Sequence, residues 1–447
     1  MAGQANSGIA NEASAPDVRA AALAPRPKSV ADTGLRLSLI CDLLEKHLYD
    51  AGILTLPGLG RRSALAGPIL DEALAFLRRE GRIEVRGPSP DEATLRYALT
   101  ERGRSSAQDA LARSGYMGPA PIPLDAYSQI IREQSVHDRL VTREIMRAAF
   151  ADVVLDGQML DRLGPALNSG KAIFVYGEPG TGKTYVTQRL SRLIGDSVLV
   201  PHAIAIGETI IQVFDPAVHV PVAAASSGML LDQGHDPRYV LCRRPLVVTG
   251  GELNLEMLEV QFDPSTRQYR APLQLKATNG ILIIDDLGRQ RVPPRAVLNR
   301  WIVPMEEGRD YLTLPTGQHF AALFDLILVF STNLRPPDLA DEAFLRRIGY
   351  KIQFEALTPF QYHEIWKQVC EQHGVLYDAT VCQQVIERLH VPAQVPLLPC
   401  HPRDLIDMAL DHAAYLGDGD KLRPDALEWA WKNYFVGVGA DDSQRQS

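Results

Sequence analysis

Gly177-Glu178-Pro179-Gly180-Thr181-Gly182-Lys183-Thr184 satisfies every position of the pattern G-x-x-x-x-G-K-[ST]. Ile173-Phe174-Val175-Tyr176 before it reads as a short buried strand, and Tyr185 to Leu193 after it reads as a helix. Such a stretch is built to hold a polyphosphate. Glycines let the backbone turn tightly enough for successive N–H groups to face one anion, and the positive end of the helix adds to that field. In this pattern Lys183 meets the β- and γ-phosphates, and the Thr184 hydroxyl ligates Mg²⁺. The stretch predicts a nucleotide site.

Further along the chain, Ile281-Leu282-Ile283-Ile284 is a β-branched apolar run that ends in Asp285-Asp286. A buried parallel strand delivers carboxylates to a sheet edge in this way. The first would hold Mg²⁺ through water, and the second could polarise an attacking water. The plainer reading is a core strand followed by a surface acidic pair. Leu326-Ile327-Leu328-Val329-Phe330-Ser331 is another buried run, ending in Thr332-Asn333, where a side-chain amide could reach a γ-phosphate; an Asn there is otherwise a turn residue. Asp341 to Ile348 then places Arg346 and Arg347 side by side at a helix end. Paired arginines are commonly solvated, or they can cross a subunit boundary to a neighbour's phosphate.

Loop, acidic pair, strand-end Asn and Arg-Arg, in this order, resemble the AAA+ ATPase family from about Leu160 to Val436. The resemblance implies an α/β fold: a parallel-sheet nucleotide-binding core at 166–358 and a helical lid at 359–436. It implies Walker A at Gly177–Thr184 with ATP as ligand, Thr184 and Asp285 at Mg²⁺, and Asp286 as the second Walker B acid. It also implies sensor 1 at Asn333, arginine fingers at Arg346 and Arg347, and sensor 2 at Arg403 within His401-Pro402-Arg403-Asp404-Leu405. Ring assembly, usually of six copies, follows from the same resemblance.

Two departures stand out. Most active members carry Asp-Glu where this chain carries Asp285-Asp286, so slow hydrolysis, or an ATP-gated assembly module, is a second expectation. Lys183 and Asp285 are 102 positions apart, which places an insertion at about 198–270. Tyr269-Arg270-Ala271-Pro272-Leu273 and Leu312-Thr313-Leu314-Pro315-Thr316-Gly317 resemble the insert-bearing branch that includes MoxR-like ATPases. Phe262 and Tyr269 are candidate pore contacts, with packing the plainer role. Gly288-Arg289-Gln290 is a candidate coupling segment to a neighbour, or surface structure.

Leu37, Ile40, Leu43, Leu44 and Leu48 recur at helical spacing, a short helix follows Pro57, and Ile69 to Leu77 mark a third. Two alternating segments flank Gly87-Pro88-Ser89-Pro90-Asp91. Three helices and a hairpin over 36–115 resemble a winged helix, which offers its third helix to duplex DNA. Arg36 to Arg104 nevertheless carry eleven basic and ten acidic side chains, a net of +1, whereas DNA-binding modules carry a basic surplus. A protein client is the favoured partner, and a DNA-associated regulator the alternative. Gly118 to Pro123 reads as a stiff spacer opening a linker over 116–165, and residues 1–35 and 437–447 read as disordered tails.

The net charge of −8 gives no general pull toward nucleic acid or anionic membrane. The five cysteines show no C-x-x-C spacing, which argues for reduced core thiols in a cytoplasmic protein over zinc or disulfides. No apolar run is long enough to span a bilayer.

Overall fold

The computed structural model describes residues 16–87, 94–222, 234–417 and 422–435. Its central feature is a five-stranded parallel sheet in an α/β fold. The strand order is Leu246–Thr249, Ile281–Ile284, Ile327–Thr332, Ile173–Gly177, Tyr350–Phe354. All four residues of Ile281–Ile284 and all six of Ile327–Thr332 are buried, and both runs are apolar up to Ser331-Thr332, as strands covered on both faces are. The chain divides into two compact units. The first takes Met1–Leu140, Ile194–Ile284 and Arg289–Leu328; the second takes Val141–Leu193, Asp285–Gly288 and Val329–Ser447.

In the first unit, helix Leu37–Ala51 buries Ile40, Leu43, Leu44 and Leu48, its i, i+3, i+4 stripe. Strand Ile53–Thr55, helices Leu56–Ser63 and Gly67–Arg79, and strands Ile83–Arg86 and Arg96–Leu99 follow. The last two strands and Ile53–Thr55 form one antiparallel sheet with Arg96–Leu99 in the middle. The turn expected at Gly87-Pro88-Ser89-Pro90-Asp91 lies, from Pro88 on, outside the described residues.

Three expectations need correction here. Residues 16–35 are not a disordered tail: Pro16–Leu23 is a helix whose Ala20 is buried, and Ser29 caps the turn Val30–Thr33. Small alanines allow close packing there, which the Ala-rich composition concealed. Residues 1–15 and 437–447 of the two expected tails, and residue 436 before the second, lie outside the described residues.

The spacer is not free either. Ile122–Pro123 pairs in parallel with Ala203–Ile206, extending the sheet that also holds Thr209–Gln212, Gln268–Arg270 and Gln261–Asp263. Nor is the start of the linker a mere connection. Helix Leu124–Glu133 buries Tyr127, Ile130 and Ile131 against Ile204, Ile206 and Ile211 of the insertion. Burial stabilises by about 1.5–3 kcal/mol for each such large side chain, which makes this helix part of a core.

The N-terminal module joins the same body, since Ala203, Ala205 and Ile210 share its apolar core with Leu59, Leu65 and Leu74. The insertion is therefore the floor on which the N-terminal module is built. Tyr269 is buried while Phe262, its neighbour across the hairpin with rings 4.8 Å apart, is 40% exposed. Tyr269 thus packs.

In the second unit, Ile327–Thr332 and Tyr350–Phe354 flank Ile173–Gly177 in parallel. Helices Pro359–His373, Ala379–Val385, Cys400–Leu416 and Pro424–Tyr434 enclose a core of Tyr362, Trp366, Leu405, Leu427 and Trp431. Thr358 and Gln361 close a capping box at the entry to the first of these helices. Among the described residues no helix is long and apolar enough to cross a membrane.

Candidate nucleotide-binding site

Strand Ile173–Gly177 ends on the glycine loop, and helix Lys183–Arg189 begins at its last residues. Gly177, Gly180 and Gly182 have φ of 152°, 83° and 84°. The first is also sterically obligatory, because a Cβ there would stand 2.2 Å from the Phe354 carbonyl oxygen. At Gly180 a Cβ would come within 2.6 Å of Cys400 Sγ. The loop therefore has a floor, at Phe354, and one wall, at the start of helix Cys400–Leu416.

Lys183 is 6% exposed and folds back on the loop, donating to the carbonyls of Gly177 (3.0 Å) and Glu178 (2.8 Å) and to Thr181 Oγ1 (3.3 Å). Burial pulls its ammonium below the ordinary lysine value, and Asp285 and Asp286 oppose that shift. These neutral partners hold the ammonium at the loop without cancelling its charge.

Thr184 Oγ1 donates to Asp285 Oδ2 at 2.6 Å, across 101 positions of sequence. A hydroxyl and a carboxylate oxygen side by side at the start of a helix are hard donors suited to a divalent cation. The main chain of Asp286 donates to Asp285 Oδ1 at 3.0 Å, and its φ is +49°. Asp and Asn occupy this left-handed region more readily than other side chains. Asn333 Nδ2 in turn donates to Asp286 Oδ1 at 3.2 Å. The predicted loop, acidic pair and strand-end amide are thus one connected set.

The arginines are placed differently. Asp341 caps helix Glu342–Arg347, whose last turn holds Arg346 and Arg347. Arg346 pairs with Glu342 at 2.6 Å with its side chain 75% exposed, and Arg347 donates to the Ala343 carbonyl at 2.8 Å. Arg346 is thus paired within its own helix. Arg403, the expected sensor 2, lies in the first turn of helix Cys400–Leu416. It is on the same side as Cys400, three residues away.

Sequence reading missed three residues of this wall: Cys400, Asp404 and Tyr434. The i, i+3 spacing of Cys400 to Arg403 and the adjacency of Asp404 were available signals; Tyr434 had none.

Residues 358–433 match a protein family described only as a domain of unknown function (DUF8689). No curated protein matches the chain. Among solved structures, the chain is similar to RuvB of Thermotoga maritima, a Holliday junction branch migration motor. That likeness has 13% identity and a TM-score of 0.35, and covers 70% of this chain and 76% of that one. It is also similar to NtrX from Brucella abortus in complex with ADP, at 13% identity and a TM-score of 0.39, covering 76% of this chain and 68% of that one. Neither likeness bears on the chemistry, which rests on the side chains described above.

Proposed function

We propose that the chain is an ATP-binding and ATP-hydrolysing protein of the AAA+ kind, working as an oligomeric remodelling or assembly motor on a protein partner. The observation that carries the hydrolytic reading is the 2.6 Å contact of Thr184 with Asp285 at the mouth of the glycine loop. The loop N–H groups and Lys183 bind the polyphosphate, with Lys183 exchanging backbone carbonyls for phosphate oxygens. Thr184 and Asp285 hold Mg²⁺. When bound, the metal supplies charge neutralisation to the phosphate oxygens. Asp286 positions the attacking water and receives its proton, while the amide of Asn333 fixes which way that carboxylate points.

Arg346 is 75% exposed at a helix end and paired within its own helix, which supports donation from that helix end, Arg346 first, to a neighbouring copy's site. Arg403 serves the same chain's phosphates from the wall formed by Cys400. The bond from Asn333 to Asp286 favours turnover over a purely gating role.

The reading of the N-terminal module as a winged helix is supported by its three helices and its antiparallel sheet with Arg96–Leu99 in the middle. Its arginines, however, are largely neutralised. Arg62 pairs with Asp50, Arg82 with Glu45, Arg86 with Glu84 and Arg102 with Glu80. The exposed face of Gly67–Arg79 presents Asp71 and Glu72 before Arg78 and Arg79. Such a surface offers little net field to phosphates and suits a protein partner.

Lys183→Ala tests the loop: ATP binding should be lost, and wild-type affinity in the variant would end the reading. Mixed with Arg346→Ala, it should regain part of the activity, since each variant supplies what the other lacks. Inert mixtures at every ratio would show that Arg346 does not act between copies.

A further inference from the structure

The wall beside the glycine loop carries a charge chain of which the nucleotide reading uses Arg403 alone. Tyr434, at the end of helix Pro424–Tyr434, donates its hydroxyl to Asp404 Oδ2 at 2.9 Å and lies 3.9 Å from Cys400 Sγ. The other carboxylate oxygen of Asp404, Oδ1, accepts from both Nε and Nη2 of Arg403, each at 3.2 Å. Arg403 is 65% exposed and Asp404 26%. The whole group stands where the wall meets the loop, with Cys400 against Gly180 and Pro399 within 3.8 Å of a Cβ built on Gly182.

We propose that Asp404, fixed by Tyr434, is a positioning residue that parks Arg403 in the nucleotide-free state and so sets how strongly the site favours ATP over ADP. This rests on the reading of Gly177–Thr184 as a nucleotide site. Arg403 can serve a γ-phosphate only by leaving Asp404. The hydroxyl of Tyr434 holds the carboxylate in place after the arginine has gone. Each binding event therefore exchanges one anion for another at Arg403, and only a ligand with a terminal phosphate within its reach completes that exchange. ADP leaves the arginine parked. An exposed pair of this type is weak, which suits a step that must reverse every cycle.

Asp404→Asn is the decisive variant, because its amide oxygen can keep the Tyr434 bond while the charge that holds Arg403 is gone. Its Kd for ATP should fall by up to about fivefold, the range of one exposed ion pair, with Kd for ADP little changed and Tm kept. KM should fall with kcat unchanged or lower. Tyr434→Phe should move ATP affinity the same way by less. In an Arg403→Ala background, Asp404→Asn should have no effect on the ATP-to-ADP ratio.

An equal shift in that background would overturn the proposal, since Asp404 would then act on phosphate without Arg403. So would an unchanged ATP-to-ADP ratio in Asp404→Asn itself, provided Lys183→Ala abolishes binding. Should Lys183→Ala bind ATP as the wild type does, the nucleotide site itself is wrong and the proposal falls with it.

Discussion

Charged groups at the glycine loop and charged groups in the first unit are held in opposite ways. Lys183 rests on two carbonyls and a hydroxyl, the Asp285 carboxylate on the Thr184 hydroxyl, and Arg403 on its half-buried neighbour in sequence. A ligand can replace every one of those partners. In the first unit, Arg238 and Asp236 have side chains 5% and 4% exposed, and the guanidinium also donates to the Thr33 and Pro121 carbonyls. Arg244, 1% exposed, binds Asp196 and the carbonyls of Gln134 and Asn279. Nothing there can be exchanged without leaving a buried charge unpaired. A binding site needs partners that yield, whereas a platform needs partners that do not.

That contrast predicts different failures. Arg238→Ala strands the Asp236 carboxylate in the interior and removes donors from Thr33 and Pro121, so it should cost about 3–5 kcal/mol. The paired replacement Asp236→Leu with Arg238→Met should cost far less, because no charge remains to be solvated. Chemical denaturation of the three proteins decides it. Equal losses for the single and double variants would mean that the pair is valued for its geometry, not its charge balance.

A second contrast lies within the C-terminal helices. His390 and His401 are 2% and 3% exposed with ring centroids 5.2 Å apart. Burial pulls each from the ordinary 6.5 down to about 4, and for His401 the nearby His390 adds to the effect. Both are therefore neutral when folded, while the unfolded chain takes up protons as pH falls through 6.5. Their contribution is intact above about pH 6.5 and declines between 6.5 and 4. At pH 5 the loss should be roughly 2 kcal/mol for each ring. His390 has partners on both nitrogens, Tyr362 and the Val395 carbonyl, but His401 Nδ1 has none among the described residues. His401→Phe should accordingly flatten the acid side of the stability profile. An unaltered profile would place the titration elsewhere.

What could be read in advance follows from locality. The glycine loop, Asp285-Asp286 and the C-terminal helices were legible because each is a contiguous pattern confined to one turn, one strand end or one apolar face. The pairing of Ile122 with Ile204 was not, since a two-residue strand has no period and its partner is 82 positions away. The joining of Ala203, Ala205 and Ile210 to the N-terminal core was hidden for the same reason: an apolar residue does not announce which core it enters. The connection of Tyr434 to Asp404 spans two helices and carried no sequence signal. Motifs show where chemistry is done; long-range packing shows what it is attached to.

Asp286 draws the contrast at a single residue. In most active members of the family it resembles, this position is Glu, and the shorter acid suggested slow hydrolysis. The backbone supplies a reason for Asp. At φ +49°, with its N–H on Asp285 Oδ1, the residue adopts a conformation that Asp tolerates and Glu does not favour. Asp286→Glu should therefore lose about 1 kcal/mol of stability from the left-handed backbone. It should retain or raise kcat if water placement limits the rate, because the carboxylate then reaches one methylene further. The bond from Asn333 limits that gain, since at 3.2 Å it is fitted to the shorter side chain. Steady-state ATPase rates with a denaturation curve on the same preparation separate the two effects. A variant as stable as the wild type but without turnover would show that the site is built around Asp, and that φ is not what selects it.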